Sequence, residues 1–404
     1  MAAPLDEKTR SIVKACVPAL EAHGLDITRE MYSRLLADPE IRDLFNMSHQ
    51  KDGEQPKALA LAVLAYARNI DTLGNLGGMV ERITQKHVGL NILPEHYPYV
   101  GKALLGAIEH VLGDAATPEI MDAWAKAYWF LADLLIGIEK KVYDEHEAAP
   151  GGWIGWRPFR VRSVKHESSI IRSFELVPTD GKPVMKHLPG QYLSFKLDIP
   201  GHGSQRRNYS ISSAPSSDHY RISVRKEDGG VVSSWFHDTV REGTELQVSA
   251  PSGDFVYDPT KEQKTVFLSA GVGLTPFISA VDALSPNEKK TVRFIHGTHA
   301  SETEAFSADV QKLAASGILQ ADIFFSAGVP ASATDKSGVQ YHAGRITKDW
   351  LTKHVDPHAI YRICGPDSFM RDMVDALKTA GVPVANIRYE FFGSAADAEL
   401  LAAV

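Results

Sequence analysis

Two turns in this sequence have the residue types of an anion cradle, and a third lies where open α/β sheets bind ligands. Ser269-Ala270-Gly271-Val272-Gly273-Leu274-Thr275-Pro276 follows the apolar run Val266-Phe267-Leu268. Glycines let backbone N–H groups approach an anion, and the start of the following helix adds partial positive charge. Thr275 suits the cap of that helix and Pro276 its first turn. The turn is not the full dinucleotide fingerprint. Pro276 stands where a third glycine belongs, and the next strand ends in His296-Gly297 rather than in an acid. Cys364-Gly365-Pro366 is another turn at a strand's C-terminal end, where open α/β sheets bind ligands. Its thiol either sits beside such a ligand or is a buried structural cysteine. Gly229-Gly230-Val231-Val232-Ser233 reads equally as an anion-binding helix start or as a hairpin turn before a capped helix.

Arg207-Asn208-Tyr209-Ser210 combines a planar cation, an aromatic face and a short hydroxyl. The guanidinium fork suits a pyrophosphate, and the phenol ring suits an isoalloxazine. Alone, the four residues are equally a strand with a surface arginine.

The elements that must position these residues change character near residue 150. Before it, apolar residues recur at helical spacing, as in Val13, Cys16, Val17, Leu20 and in Leu59, Val63, Tyr66, Ile70. Segments 5–22, 25–37, 55–72, 77–88, 96–112 and 118–147 read as helices, with Gly24, Pro39 and the Gly74–Gly78 stretch as breakers. After the linker Pro150-Gly151-Gly152-Trp153-Ile154-Gly155-Trp156 the period becomes two. Phe159–Val164, Tyr192–Leu197, Tyr220–Val224 and Leu246–Val248 are short alternating strands of a small antiparallel barrel. From about residue 263 strands (266–268, 292–295, 361–363) alternate with helices (from Pro276, near 302–315, from Ser368), the pattern of a parallel α/β sheet. The expectation is therefore an all-α domain over 1–147, an antiparallel β-barrel over 148–260 and a parallel α/β domain over 261–404.

In this order the motifs resemble the ferredoxin–NADP reductase family over about residues 153–393. The resemblance implies that Tyr192, Arg207, Tyr209, Ser210, Gly230, Ser233 and Glu390 hold FAD, and that Phe392 lies against the flavin. It implies that Gly271, Gly273, Thr275, Pro276, Cys364, Gly365 and Pro366 serve NADH or NADPH. No arginine for a 2′-phosphate follows Phe325 in Ser326-Ala327, which favours NADH.

A flavin takes a hydride as two electrons and can release them singly, so a one-electron acceptor such as haem is its natural partner. The helical part holds His23, His49, His87, His96, His110 and His146. His87 stands out, near a helix end and 32 residues after Gln55, which suits two helices facing each other across a haem. Phe45 lies in the turn before and could wedge against a porphyrin edge. These features resemble the globin domain of flavohaemoglobins, and the resemblance then spans nearly the whole chain, including the Gly151-Gly152-Trp153 junction. It implies haem b with His87 as iron ligand, Tyr97 and Glu139 as its partners, Tyr32 as donor to bound oxygen, and Gln55, Leu59, Lys86 and Phe45 around the pocket.

The activity so implied is that of a nitric oxide dioxygenase, which makes nitrate from NO and O2 with electrons passed from NAD(P)H through FAD to haem. The alternatives are a haem–flavin hydroperoxide or quinone reductase, and a gas-sensing or oxygen-storing globin. Two departures from the family are visible. Pro56 follows Gln55 and fits only a first helical turn. Phe392-Gly393-Ser394 replaces Phe-Gly-Pro and precedes the alanine-rich stretch 395–404.

Composition narrows the partners. At 404 residues, 44% hydrophobic, 23% charged and net charge −7, the chain has no basic field for nucleic acid. MAAPLDEKTR lacks the apolar core of a secretory signal, and the uncharged stretch Ala58–Ala67, Lys57 just before it, is too short to cross a bilayer. Two cysteines, Cys16 and Cys364, point to a reducing, cytoplasmic setting. The expected partners are small molecules, including a lipid or hydroperoxide in the haem pocket, with no obligate protein partner.

Overall fold

Helix starts follow from local chemistry. Asp6 accepts a hydrogen bond from the Thr9 N–H at 2.8 Å and opens α1 (Glu7–Ala15). The computed structural model describes residues 4–42, 54–262, 264–284, 291–331, 333 and 338–392; Phe45, His49, Gly393, Ser394 and the stretch 395–404 lie outside them. Gly24 does not break the chain. It sits inside α2 (Val17–Leu36), where a side chain would begin to meet Ala60, and the break falls instead at Cys16, before Pro18 in the first turn of α2. There follow α3 (Pro39–Arg42), α4 (Glu54–Arg68), α5 (Gly77–Gly89), α6 (Tyr97–Leu112) and α7 (Pro118–Ala148). Pro56 lies in the first turn of α4, as its missing N–H demands, and its carbonyl accepts from Thr28 Oγ1 at 2.8 Å. Val13, Ile27, Met31, Leu35, Tyr66, Ile108 and Trp124 form the buried core of this part.

The linker is shaped by its glycines. A Cβ on Gly152 would overlap the His146 carbonyl, so the chain turns tightly off α7 only with glycine there. Trp153 then packs on Phe159 and Tyr220, and its indole N–H donates to the Val248 carbonyl at 3.2 Å. Next come β1 (Arg157–His166), β2 (Ile171–Pro178), β3 (Tyr192–Ile199), β4 (Gly203–Ser210), β5 (Tyr220–Arg225) and β6 (Glu245–Val248), with α8 (Val231–Asp238) after β5. The sheet runs β4-β3-β6-β1-β2-β5, all antiparallel, and its two edge strands meet through the Ile211–Ile222 bridge. This is the expected barrel.

The last part has β7 (Lys264–Ala270), β8 (Thr291–Thr298), β9 (Gln320–Phe325), β10 (Val339–Ala343), β11 (Ile360–Cys364) and β12 (Ile387–Glu390). Its helices are α9 (Thr275–Asp282), α10 (Ser307–Ala315), α11 (Lys348–Lys353) and α12 (Asp367–Thr379). The strands are parallel in the order β10-β9-β8-β7-β11-β12. Strand order reverses between β7 and β11, so a crevice opens at their C-terminal ends. Both glycine turns of this part lie there.

Candidate functional site

His87 sits in the last turn of α5, and α7 brings Glu139 behind it. Glu139 is 2% exposed, and one of its oxygens, Oε1, accepts from the Tyr97 hydroxyl at 2.6 Å and lies 2.7 Å from His87 Nδ1. An ionised carboxylate can only accept, and the Tyr97 proton is already committed to Glu139, so Nδ1 carries the imidazole proton. Nε2 is left with its lone pair, the form a metal requires. Burial and the adjacent carboxylate push the Tyr97 phenol well above its ordinary range, so it stays a donor. Two further tyrosines brace this arrangement: Tyr128 donates to the Tyr97 carbonyl at 2.6 Å and Tyr143 to the Ile92 carbonyl at 2.8 Å. Neither was expected from sequence. His96 accepts locally from the Leu93 N–H at 2.9 Å.

His87 lines a cavity of about 1340 Å³. On the helical side Met31, Leu35, Ile41, Val63, Met79, Val80, Ile83, Leu104 and Leu131 make its walls apolar, and Tyr32, Gln55, Leu59, Lys86 and Tyr97 also border it. Burial holds the Tyr32 phenol above its usual range, so its hydroxyl remains protonated. An apolar slot with one properly protonated imidazole at its wall fits a haem: the walls match the macrocycle and Nε2 matches the iron.

The same cavity continues into the barrel. Tyr192, Arg207, Tyr209, Ser210, Gly230, Ser233, Glu390 and Phe392 all border it. Arg207, Tyr209 and Ser210 end β4, and Gly230 caps α8 without a side-chain partner. A Cβ on Gly230 would come within 2.5 Å of Ser233 Oγ, so only glycine allows this tight helix start. Phe392 is exposed, with a free apolar face. A cation, a bare helix N-terminus and flat aromatic surfaces at one opening fit a flavin dinucleotide.

The nucleotide turns converge as the strand order requires. Thr275 borders the cavity, while Gly271 and Gly273 follow β7 and Cys364-Gly365-Pro366 ends β11. One expectation changes in detail. Thr275 does not cap α9; its hydroxyl donates to the Val272 carbonyl at 3.0 Å, because a 3-10 turn over Gly271–Leu274 already leads into the helix. Gly273 also lets the two turns touch: a Cβ there would lie 2.3 Å from the Cys364 carbonyl oxygen. Cys364 itself is fully buried. Pro366 is the N-cap of α12.

The face of α5 turned away from the apolar slot is docked on the other two parts. Arg82 meets Asp254 at 3.4 Å and lies over the Tyr389 ring, and Gln85 accepts from the Gly253 N–H at 3.0 Å. A Cβ on Gly89 would approach Ser194 Oγ to 2.9 Å, and Arg206 donates to the Leu90 carbonyl at 2.6 Å. Between barrel and α9, buried His187 reaches Ser213 O at 3.1 Å and Ser279 Oγ at 2.9 Å, and Arg221 pairs with Asp282 at 3.0 Å. These contacts join residues far apart in sequence, and none of them was expected from it.

Comparison with known proteins follows the same three-part division. A globin family model matches residues 29–135, an oxidoreductase FAD-binding domain 158–257, and an oxidoreductase NAD-binding domain 267–375. The flavohemoprotein of Deinococcus radiodurans is 46% identical over 395 residues, covering 96% of this chain and 97% of that protein. That of Xylella fastidiosa is 44% identical over 398 residues, covering 97% and 98%. The crystal structure of a flavohemoglobin from Malassezia yamatoensis with bound FAD and heme superposes with a TM-score of 0.84 at 28% identity, covering 97% of this chain and all of that one. The FAD/NAD-binding domain of a nitric oxide dioxygenase from Vibrio cholerae matches 59% of this chain and 99% of its own, with a TM-score of 0.52 at 29% identity.

Proposed function

The chain belongs to the flavohaemoprotein family, and on that premise we propose that it is a nitric oxide dioxygenase, converting NO and O2 to nitrate with electrons from NAD(P)H. The observation that carries this reading is one cavity bordered at one end by a carboxylate-oriented histidine and at the other by a flavin-binding set. Haem b, FAD and the nicotinamide nucleotide supply, when bound, an iron for diatomic gases, a splitter of electron pairs and a hydride donor.

The chain's own residues do the rest. His87 would hold the iron through Nε2. Glu139, with Tyr97, fixes the imidazole's tautomer and raises its basicity, which favours electron release towards a bound gas over reversible storage. Tyr32 keeps a hydroxyl proton available in the same cavity, which Leu59, Gln55 and Lys86 also line. Arg207 and the α8 start at Gly230 and Ser233 would hold a pyrophosphate, Tyr209, Ser210 and Tyr192 a flavin ring, with Glu390 and Phe392 bordering the same opening. The turns at Gly271, Gly273, Thr275, Pro276 and at Cys364, Gly365, Pro366 seat the nucleotide. Residues 1–147, 148–260 and 261–404 are the three working units. Electron donor and acceptor share one chain, so no obligate protein partner is needed.

The apolar walls also suit a lipid or hydroperoxide tail, the one observation that favours a second acceptor. Two buried free cysteines support a cytoplasmic setting; among the described residues no helix is long and apolar enough to span a membrane.

Turnover decides between these readings. Each nitrate needs one electron (NO + O2 + e⁻ → NO3⁻), so a hydride should yield two nitrates. NADH oxidation that requires both gases and gives this ratio supports the proposal. Oxidation indifferent to NO but accelerated by a hydroperoxide or quinone would replace it.

A further inference from the structure

The geometry points to Arg206 as a positioning residue that holds the His87 helix against the flavin-side strand and thereby sets the rate of electron passage between them. The inference rests on the haem-and-flavin reading above. Arg206 and Arg207 are neighbours on β4, so their side chains leave the strand on opposite faces. Arg207 shares its face with Tyr209. Arg206 turns instead to the helical part.

Arg206 is only 6% exposed: its Nη1 donates to the Leu90 carbonyl at 2.6 Å, and its Cζ lies 5.1 Å from the centre of the Trp156 ring. A guanidinium is costly to take out of water, so its N–H groups must be used where it lies. Here it joins three pieces of the chain, namely β4, the linker and the end of α5. Leu90 is the C-cap of α5, and its own N–H bonds the carbonyls of Lys86 and His87 at 3.1 Å. The Ile92 N–H takes the His87 carbonyl at 2.9 Å. Whatever holds Leu90 therefore holds the turn that carries His87. A cation at this end also complements the helix dipole. Gly89, against Ser194, lets the two surfaces close, and Arg206 keeps them closed. Leu90 and Trp156 belong to the helical part and the linker, and neither is part of the nucleotide turns after β7 and β11.

The test uses full-length protein carrying both cofactors, comparing the unmodified chain with Arg206→Ala and Arg206→Lys. Soret and flavin absorbance per chain establish loading. In Arg206→Ala, flavin bleaching by NADH in stopped flow should stay within about twofold. Haem reduction, followed under carbon monoxide, should slow by about tenfold. Amide hydrogen exchange across 88–92 should speed up by about fivefold or more. Arg206→Lys keeps a donor but loses the planar face, and should fall between. Unchanged haem reduction or unchanged exchange overturns the proposal. So does flavin bleaching that slows in step with haem reduction, which would place Arg206 with the flavin itself. An unmodified chain that takes up neither haem nor flavin would overturn the functional reading, and this one with it.

Discussion

A single carboxylate oxygen, Glu139 Oε1, takes hydrogen bonds from both Tyr97 and His87, so its replacement should be felt at the iron rather than in the fold. Glu139→Gln keeps an acceptor but removes the charge. Its haem midpoint potential should rise, since a less basic imidazole stabilises ferric iron less, and nitrate turnover should drop by about tenfold or more. Potentiometric titration checks the first and a nitrate assay the second; an unchanged potential would remove Glu139 from the electronic role. Elsewhere in the cavity, Tyr32→Phe should weaken oxygen binding by about tenfold, the worth of one hydrogen bond, read from oxygen dissociation in stopped flow. If that variant makes nitrate at the unmodified rate, Tyr32 has no part in polarising the gas. Because burial lifts the Tyr32 phenol above its ordinary range, the unmodified enzyme should lose no oxygen affinity from phenol ionisation up to about pH 10. At this scale legibility came from the patterns that carry the family resemblance, and His87, Arg207 and Tyr209 from those patterns all border the cavity. Tyr128, Tyr143 and Arg206 belong to none. Each acts by donating to a backbone carbonyl from a distant segment, which leaves no trace in spacing.

Among elements, α5 has the most demanding position, with the apolar slot on one side and the barrel on the other. Gly89→Ala improves intrinsic helix propensity by up to about 1 kcal/mol. It nevertheless pushes a methyl group to 2.9 Å from Ser194 Oγ and 3.2 Å from the Tyr192 ring. We expect a net loss of about 1–2 kcal/mol from overpacking, measured by denaturant unfolding followed through the Soret band. A stability gain would mean that the surfaces separate freely. The helix start at Pro56 was legible, whereas the break before Pro18 was not: 5–22 reads as one helix, but α1 ends at Ala15. Gly24 was misleading, because helix packing against Ala60 outweighs its low propensity. Strand β2 escaped notice because Ser173 is turned into a buried hydroxyl chain with Ser223 and Ser212, which breaks the alternation that marks a strand. Asp322 hides β9 in the same way, its carboxylate taken up by Arg293 and His342 at 2.8 Å each.

For the whole molecule, acid is the informative perturbation. Burial lowers His187, at the contact of barrel and α9, from 6.5 to about 4. The same holds for His296, enclosed beside Ser269. With folded values below unfolded ones, the stability these neutral imidazoles contribute is complete above about pH 6.5 and is lost as pH falls towards about 4. The melting temperature should therefore decline across that window, and His187→Gln should flatten the decline without abolishing it. An unchanged profile would mean that other groups govern acid unfolding. The order of all-α, antiparallel β and parallel α/β was readable from periodicity, and haem, FAD and NAD(P) followed from the family resemblance that the ordered motifs carry. How the parts meet was not. Gly253 and Gln85 are 168 residues apart, and periodicity carries no information at that separation.

One helix both presents His87, the proposed iron ligand, and bears the contacts to the reductase part, and thermodynamic linkage makes that arrangement work in both directions. If docking the reductase shifts the His87 turn, then a gas that draws on His87 must alter the docking equilibrium by the same factor. Gas occupancy and reductase engagement are then two readings of one equilibrium, with Leu90 as the point where they meet.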